Sequence, residues 1–216
     1  AIYLIQECGV KPEQILMATF TEKAAKELVT RITNELAVRN IYVNVNEMYI
    51  GTFHSLCLRI IKDNLEFTQL KKNYRLLDSF DQKYLVFRNI QKFRNIADIE
   101  LVMPNGGAWK WAEAICGLVG TLTEELVDAD AMAKDSKTEI RVLSAILKQY
   151  QQLLTDENLI DFAKIQTECY RLLKENPAIL SDLQEKIHYL MIDEYQDTNY
   201  IQEQIIFMLG EKHGNI

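Results

Sequence analysis

Apolar positions along the chain fall into two rhythms. Two short runs, Ile15 to Thr19 and Met48 to Phe53, read as buried strands, and each is followed by apolar residues at helical spacing. Ala24, Ala25, Leu28, Val29, Ile32 and Leu36 form one stripe, with Thr21 as the cap, and Leu56, Ile60 and Ile61 begin another, with Ser55 as the cap. From about Asn64 to Lys186 the strand-like runs give way to helical periodicity alone. Ser79 to Gln82 fits a capping box ahead of Leu85, Val86, Ile90 and Phe93. Met103 to Gly107 is the clearest loop, and Trp109 and Trp111 follow it as core anchors at the head of a helix. Further helices are expected from about Lys137 to Leu154 and from Leu159 to Leu173, and Asn176-Pro177 opens another. Near the end, Tyr189 to Ile192 suits a strand buried on both faces of a parallel sheet. A last helix runs from Tyr200 to Leu209, capped by Asp197 or Thr198.

The pattern is strand-turn-helix twice, a helical insertion, then strand-turn-helix again. It predicts an α/β fold: a parallel sheet interrupted by an all-helical inserted subdomain, mostly α overall. The expected divisions are 1–63 and 187–216 for the sheet-bearing part and 64–186 for the insertion. Right-handed crossovers would bring the three strand-ending turns to one sheet edge. Composition changes this little: 48% hydrophobic and 25% charged residues are ordinary for a folded domain. The net charge of -7 argues against coating nucleic acid by bulk charge but leaves room for a local groove. Cys8, Cys57, Cys116 and Cys169 lie far apart with no C-x-x-C pair, which fits reduced, buried thiols in a cytoplasmic protein. No apolar run has the length of a membrane span. The apolar opening at Ala1 to Ile5, without an initiator Met, and the ending at Gly210 to Ile216 make the chain read as a piece of a longer protein.

The candidate chemistry sits where the strands stop. Asp193-Glu194 ends the last apolar run, and two carboxylates there are costly unless a cation or ligand meets them. Ligands of open α/β sheets bind beyond strand carboxyl ends. In a nucleotide-hydrolysing site the first carboxylate holds Mg²⁺, the second polarises the attacking water, and an amide such as that of Gln196 can sense the γ-phosphate. Taken alone, the pair also fits a polar loop leaving a strand. Phe20, in the first turn, either packs under that turn or offers a flat face to a nucleobase. His54, in the second, taken alone is more often a surface or capping histidine than a ligand.

Longer strings narrow these readings. D-E-Y-Q-D-T-N, from Asp193 to Asn199, resembles motif II (Walker B) of the UvrD/Rep/PcrA-like superfamily 1 DNA helicases. A-T-F-T-E-K-A-A-K-E-L, from Ala18 to Leu28, resembles their motif Ia, with Glu22 where the family often has Asn. G-T-F-H-S-L-C-L-R-I-I, from Gly51 to Ile61, resembles motif Ib. Leu159 to Phe162 is similar to the Leu-Asp-Phe segment that precedes motif II, with Ala163 and Lys164 in place of two acids.

The resemblance spans the chain and implies an incomplete RecA-like P-loop NTPase sheet, the first RecA-like domain of such a helicase. It implies ATP and Mg²⁺ as cofactors, with Glu194 and Gln196 catalytic, Asp193 and Gln196 on the nucleotide, and Asp193 and Glu194 on Mg²⁺. It assigns Phe20, Thr21, Thr52, Phe53 and His54 to single-stranded DNA. The implied partners are single strands, junctions of single and double strand, and a second RecA-like domain of the full-length chain carrying arginine fingers. Movement would be 3′ to 5′. The 216 residues hold no G-x-x-x-x-G-K-[ST] phosphate loop, which in the family lies shortly before motif Ia, upstream of Ala1. The expectation is therefore an ATP-driven motor in the full-length protein and no hydrolysis or unwinding by this stretch alone. The other reading is a helicase-like DNA-binding or protein-interaction module without a motor; the joint presence of Asp193, Glu194 and Gln196 speaks against it.

Overall fold

Periodic stretches become helices and the short apolar runs become strands. In the computed structural model, which describes residues 1–216, the order is α1 (Ile2–Gln6), β1 (Ile15–Thr19), α2 (Glu22–Val38), β2 (Tyr49–Thr52), α3 (Phe53–Asp63), β3 (Arg75–Leu76), α4 (Ser79–Arg88) and α5 (Ile90–Arg94). Then come α6 (Ala108–Glu124), α7 (Ala129–Met132), α8 (Thr138–Asp156), β4 (Leu159–Ile160), α9 (Phe162–Glu175), α10 (Pro177–Lys186), β5 (Tyr189–Ile192) and α11 (Tyr200–Gly210). The chain divides into two compact units, one of residues 1–68 with 168–216 and one of residues 69–167. The second division falls inside α9, so α10 belongs with the sheet, whereas the change from strand-like runs to helical periodicity put the divisions at 63/64 and 186/187.

The first unit is built on a parallel sheet of order β2-β1-β5. Its strands are apolar on both sides because helices cover both faces. Ile15 and Met17 of β1, Ile50 and Met191 pack with Ile5 of α1 and with Ile32 and Leu36 of α2. On the other face Leu16, Leu190 and Ile192 meet Phe53, Leu56, Cys57 and Ile60 of α3 and Ile205, Ile206 and Leu209 of α11. Thr21 caps α2, accepting a hydrogen bond from the Ala24 N–H at 3.1 Å. The cap of α3 is Thr52 and not Ser55, because the helix begins directly at the strand's end. The Ser55 N–H donates to Thr52 Oγ1 at 3.2 Å, and the Ser55 hydroxyl donates to the Thr52 carbonyl at 2.8 Å. That hydroxyl explains Gly51: a Cβ there would lie 2.4 Å from Ser55 Oγ.

The second unit has a core of its own. Leu85 and Val86 of α4, Phe93 of α5, Ala112, Ile115 and Val119 of α6, and Val142, Ile146, Leu147 and Tyr150 of α8 are all buried in it. To the helices expected here the structure adds a short parallel pair, β3 with β4, in which Arg75 lies opposite Leu159 and Leu76 opposite Ile160. Asp78, one residue earlier than expected, caps α4 by accepting from the Phe80 and Asp81 N–H groups at 2.9 and 2.7 Å. Gln82 is thereby released from a capping role. Its amide donates to the Tyr150 hydroxyl at 2.9 Å and to Asp161 Oδ2 at 3.0 Å. Trp111 packs against the core and donates to the Pro104 carbonyl at 3.0 Å. Trp109 does not: it is exposed, with its ring against those of Phe80 and Phe87.

Cys57, Cys116 and Cys169 are buried and reduced, whereas Cys8 is exposed. Burial, with the Asp161 charge adding to it, pushes the Cys116 thiol up to about 12. No helix is long and apolar enough to cross a membrane.

Candidate functional site

Strand register builds the site. Thr19 lies opposite Thr52, and Ala18 lies opposite Gly51 on one side and Ile192 on the other. The Asp193 N–H donates to the Ala18 carbonyl at 2.9 Å, carrying the ladder one step into the acidic pair. The turns that follow β1, β2 and β5 therefore leave the same carboxyl edge. Phe20, Phe53 and Asp193 are each the first residue past that edge.

Asp193 is exposed and takes part in no ion pair. Glu194 has a left-handed backbone, φ 50° and ψ 48°, in a residue with a full side chain. Such a conformation costs on the order of 1–3 kcal/mol and persists only where neighbours hold it. Here they do. Gln196 donates its amide to the Glu194 carboxylate, the Tyr195 hydroxyl donates to Glu203 at 2.8 Å, and the Thr198 hydroxyl donates to the Tyr195 carbonyl at 2.8 Å. The helix beyond is capped by Asn199, not by Asp197 or Thr198. The Gln202 N–H donates to Asn199 Oδ1, and the Asn199 N–H donates back to the Gln202 side chain.

The donor set suits a hard divalent cation held with phosphates. Mg²⁺ is bound through one or two carboxylates plus substrate oxygens, with waters completing the octahedron. Asp193 supplies one accessible carboxylate and Glu194 a second beside it. No cluster of three or more His, Cys, Asp or Glu side chains forms an all-protein cage, so any ion here would need ligands from a bound molecule or solvent.

The other two turns differ in what they expose. Phe20 is 42% exposed, and its turn is pinned by the buried Thr19, whose hydroxyl donates to the Thr21 carbonyl at 3.1 Å. Thr21 is exposed, its hydroxyl used in capping α2. Thr52 is buried, caps α3, and donates its own hydroxyl to Glu22 Oε1 at 3.3 Å. Phe53 is 8% exposed and belongs to the apolar layer beneath the edge rather than to its surface. His54 is half-buried, and burial holds its pKa below the ordinary value. Sequence reasoning missed Thr19 as a brace, the Glu22–Thr52 bond and the backbone of Glu194. It also passed over the capping box at Asn199 and Gln202, whose Asn-x-x-Gln spacing was there to be read.

A parallel sheet covered on both faces, with an acidic pair at its carboxyl edge and a helical unit inserted ahead of its last strand, defines an α/β domain whose chemistry belongs at that edge. All 216 residues match the model of the UvrD/REP helicase N-terminal domain, and the chain belongs to that family. It is 30% identical over 215 residues to the ATP-dependent DNA helicase PcrA of Bacillus subtilis, covering 99% of this chain and 27% of that protein. It is 34% identical over 215 residues to the ATP-dependent DNA helicase Rep of Buchnera aphidicola, covering 99% of this chain and 31% of that protein. A probable DNA helicase II homolog of Mycoplasma capricolum matches at 31% over 208 residues, 96% of this chain and 27% of the relative. The chain thus spans about three-tenths of the length of these relatives.

Proposed function

We propose that the full-length protein is a cytoplasmic ATP-dependent DNA helicase that couples ATP hydrolysis to 3′-to-5′ movement on single-stranded DNA and opens duplex at a junction. The observation that carries this is the common carboxyl edge, where the register aligns Thr19 and Thr52 and the β1–β5 ladder runs on into Asp193. Nucleotide and strand could then act on one rigid sheet.

In this reading Asp193 would hold Mg²⁺ and Glu194 would polarise the attacking water. When bound, ATP would supply the phosphoryl group and Mg²⁺ the charge neutralisation. Gln196, already joined to Glu194, reports the state of the γ-phosphate to the turn ahead of α11. Phe20, whose ring is exposed, would stack on a base, Thr21, Thr52 and His54 would meet the strand backbone, and the buried Phe53 would support the turn from below. Phosphate binding, and the second RecA-like domain with its arginines, would come from the rest of the chain. These 216 residues contain no phosphate loop, so we propose that alone they neither hydrolyse ATP nor unwind DNA.

The test is steady-state ATP hydrolysis by the full-length protein, with and without single-stranded DNA, beside Glu194→Gln. We expect DNA-stimulated turnover that falls at least about 100-fold in the variant while strand binding survives, since the loss removes a group acting on the attacking water. Full turnover in Glu194→Gln would remove Glu194 from the mechanism. No turnover by the folded wild type would point to a binding module without a motor. Hydrolysis by residues 1–216 alone, abolished by the same substitution, would overturn the claim that the stretch is inactive.

A further inference from the structure

Glu22 stands where a strand-binding turn has least use for a carboxylate. It is the first residue of α2, exposed, two positions after Phe20, and it accepts the Thr52 hydroxyl proton across the gap between the first and second turns. We propose that Glu22 is a built-in competitor of the DNA phosphate: it occupies Thr52 in the free protein and must let go when a strand enters. The proposal rests on the reading of these two turns as strand-binding.

Three observations lead there. A threonine hydroxyl has one proton to donate. In Thr52 that proton goes to Glu22 Oε1 at 3.3 Å, while the Thr52 oxygen already accepts from the Ser55 N–H at 3.2 Å. A phosphate oxygen can only accept, so Thr52 can hold a phosphate only by giving up Glu22. Second, Glu22 is held in no ion pair. Lys26, one turn further along α2, lines the same open groove of about 350 Å³ with Glu22, Gly51 and Ser55, yet it forms no ion pair with Glu22. An approaching phosphate would feel that carboxylate within a Debye length. Third, a carboxylate in the first turn of a 17-residue helix is favoured by the helix dipole, so the free protein keeps this charge at little cost. Together these make Glu22 a residue that weakens and tunes the grip on the strand, which suits a protein that must release DNA at each step.

The experiment measures binding of a labelled oligothymidylate to the full-length protein by fluorescence anisotropy across a range of salt concentrations. Glu22→Gln, Glu22→Asn and Phe20→Ala are compared with wild type, and melting temperatures confirm folding. We expect both Glu22 variants to bind about three- to ten-fold tighter at low salt, from the loss of one charge near a phosphate. That gain should shrink as salt rises, because the variants' salt dependence is steeper. A purely capping role for Glu22 would lower the melting temperature and leave the salt dependence unmoved. Equal or weaker binding in both Glu22 variants overturns the competitor role. If Phe20→Ala weakens binding while the Glu22 variants change nothing, the strand-binding reading stands and only the competitor role fails. If Phe20→Ala changes nothing, the strand-binding reading falls and takes the competitor role with it.

Discussion

Glu194 carries its carboxylate on a backbone that glycine enters freely and glutamate does not. Hydrogen bonds from Gln196 and the bracing of Tyr195 and Thr198 hold it there, so the direction of the carboxylate is set by the turn and not by rotamer choice alone. His54 shows the opposite trade at the second turn. Burial pushes its pKa below 6.5. As pH falls, the unfolded chain therefore takes up this proton before the folded one does, and the native state loses stability in the window just below the unfolded value. His54→Gln should flatten the decline of melting temperature between about pH 7 and about pH 5. Superimposable curves for wild type and variant would show that His54 does not carry that part of the acid sensitivity.

Among the elements, the junction of α4, α8 and α9 depends on one buried carboxylate. Asp161, 3% exposed, accepts from the Tyr150 hydroxyl, from Gln82 at 3.0 Å and from the Lys164 N–H, in the first turn of α9, at 2.7 Å. Burial, with the Asp161 charge next in effect, pushes the Tyr150 phenol far above its usual pKa and keeps it a donor. Tyr150→Phe removes one donor from a buried charge and should cost about 1–3 kcal/mol, read by chemical denaturation. An unchanged midpoint would mean that Gln82 and Lys164 suffice. Element types were legible in the sequence because a sustained apolar period of 3.6 marks helices such as α2 and α8, and because the length and flanking residues of a short apolar run mark a strand such as β1. Caps were less so: Asp78, Thr52 and Asn199 displaced the expected Ser79, Ser55 and Asp197 or Thr198. Which residue leaves the helical backbone is settled by how the preceding strand or turn delivers the chain. Phe53 shows two signals in conflict. The motif resemblance assigns it to single-stranded DNA, while its spacing with Leu56, Cys57 and Ile60 puts it on the apolar stripe, where the structure buries it. The left-handed Glu194 had no glycine or asparagine to announce it.

At the level of the whole molecule, residues 69–167 enclose a core that draws on no residue outside them. Expressed alone, that segment should show helical circular dichroism and a single cooperative melt; a broad, gradual transition would show that its packing needs the rest of the chain. The family and the fold class were readable from ordered motifs, but the division within α9 was not, since a helix crossing between two cores has no break in its period. The small parallel pair β3–β4 has a consequence for how the chain folds. Completing the β2-β1-β5 sheet requires Gln14 to find His188, 174 positions away, and entropy opposes closing so long a loop. Because Leu76 lies beside Ile160, the insertion enters and leaves through adjacent strands. Once it has folded on its own local contacts, the loop left to close for β5 is roughly halved, which lowers the entropic cost by about 0.6 kcal/mol. On a ribosome, the insertion would be folded before β5 is made, and the edge that is to carry Asp193 would be completed last.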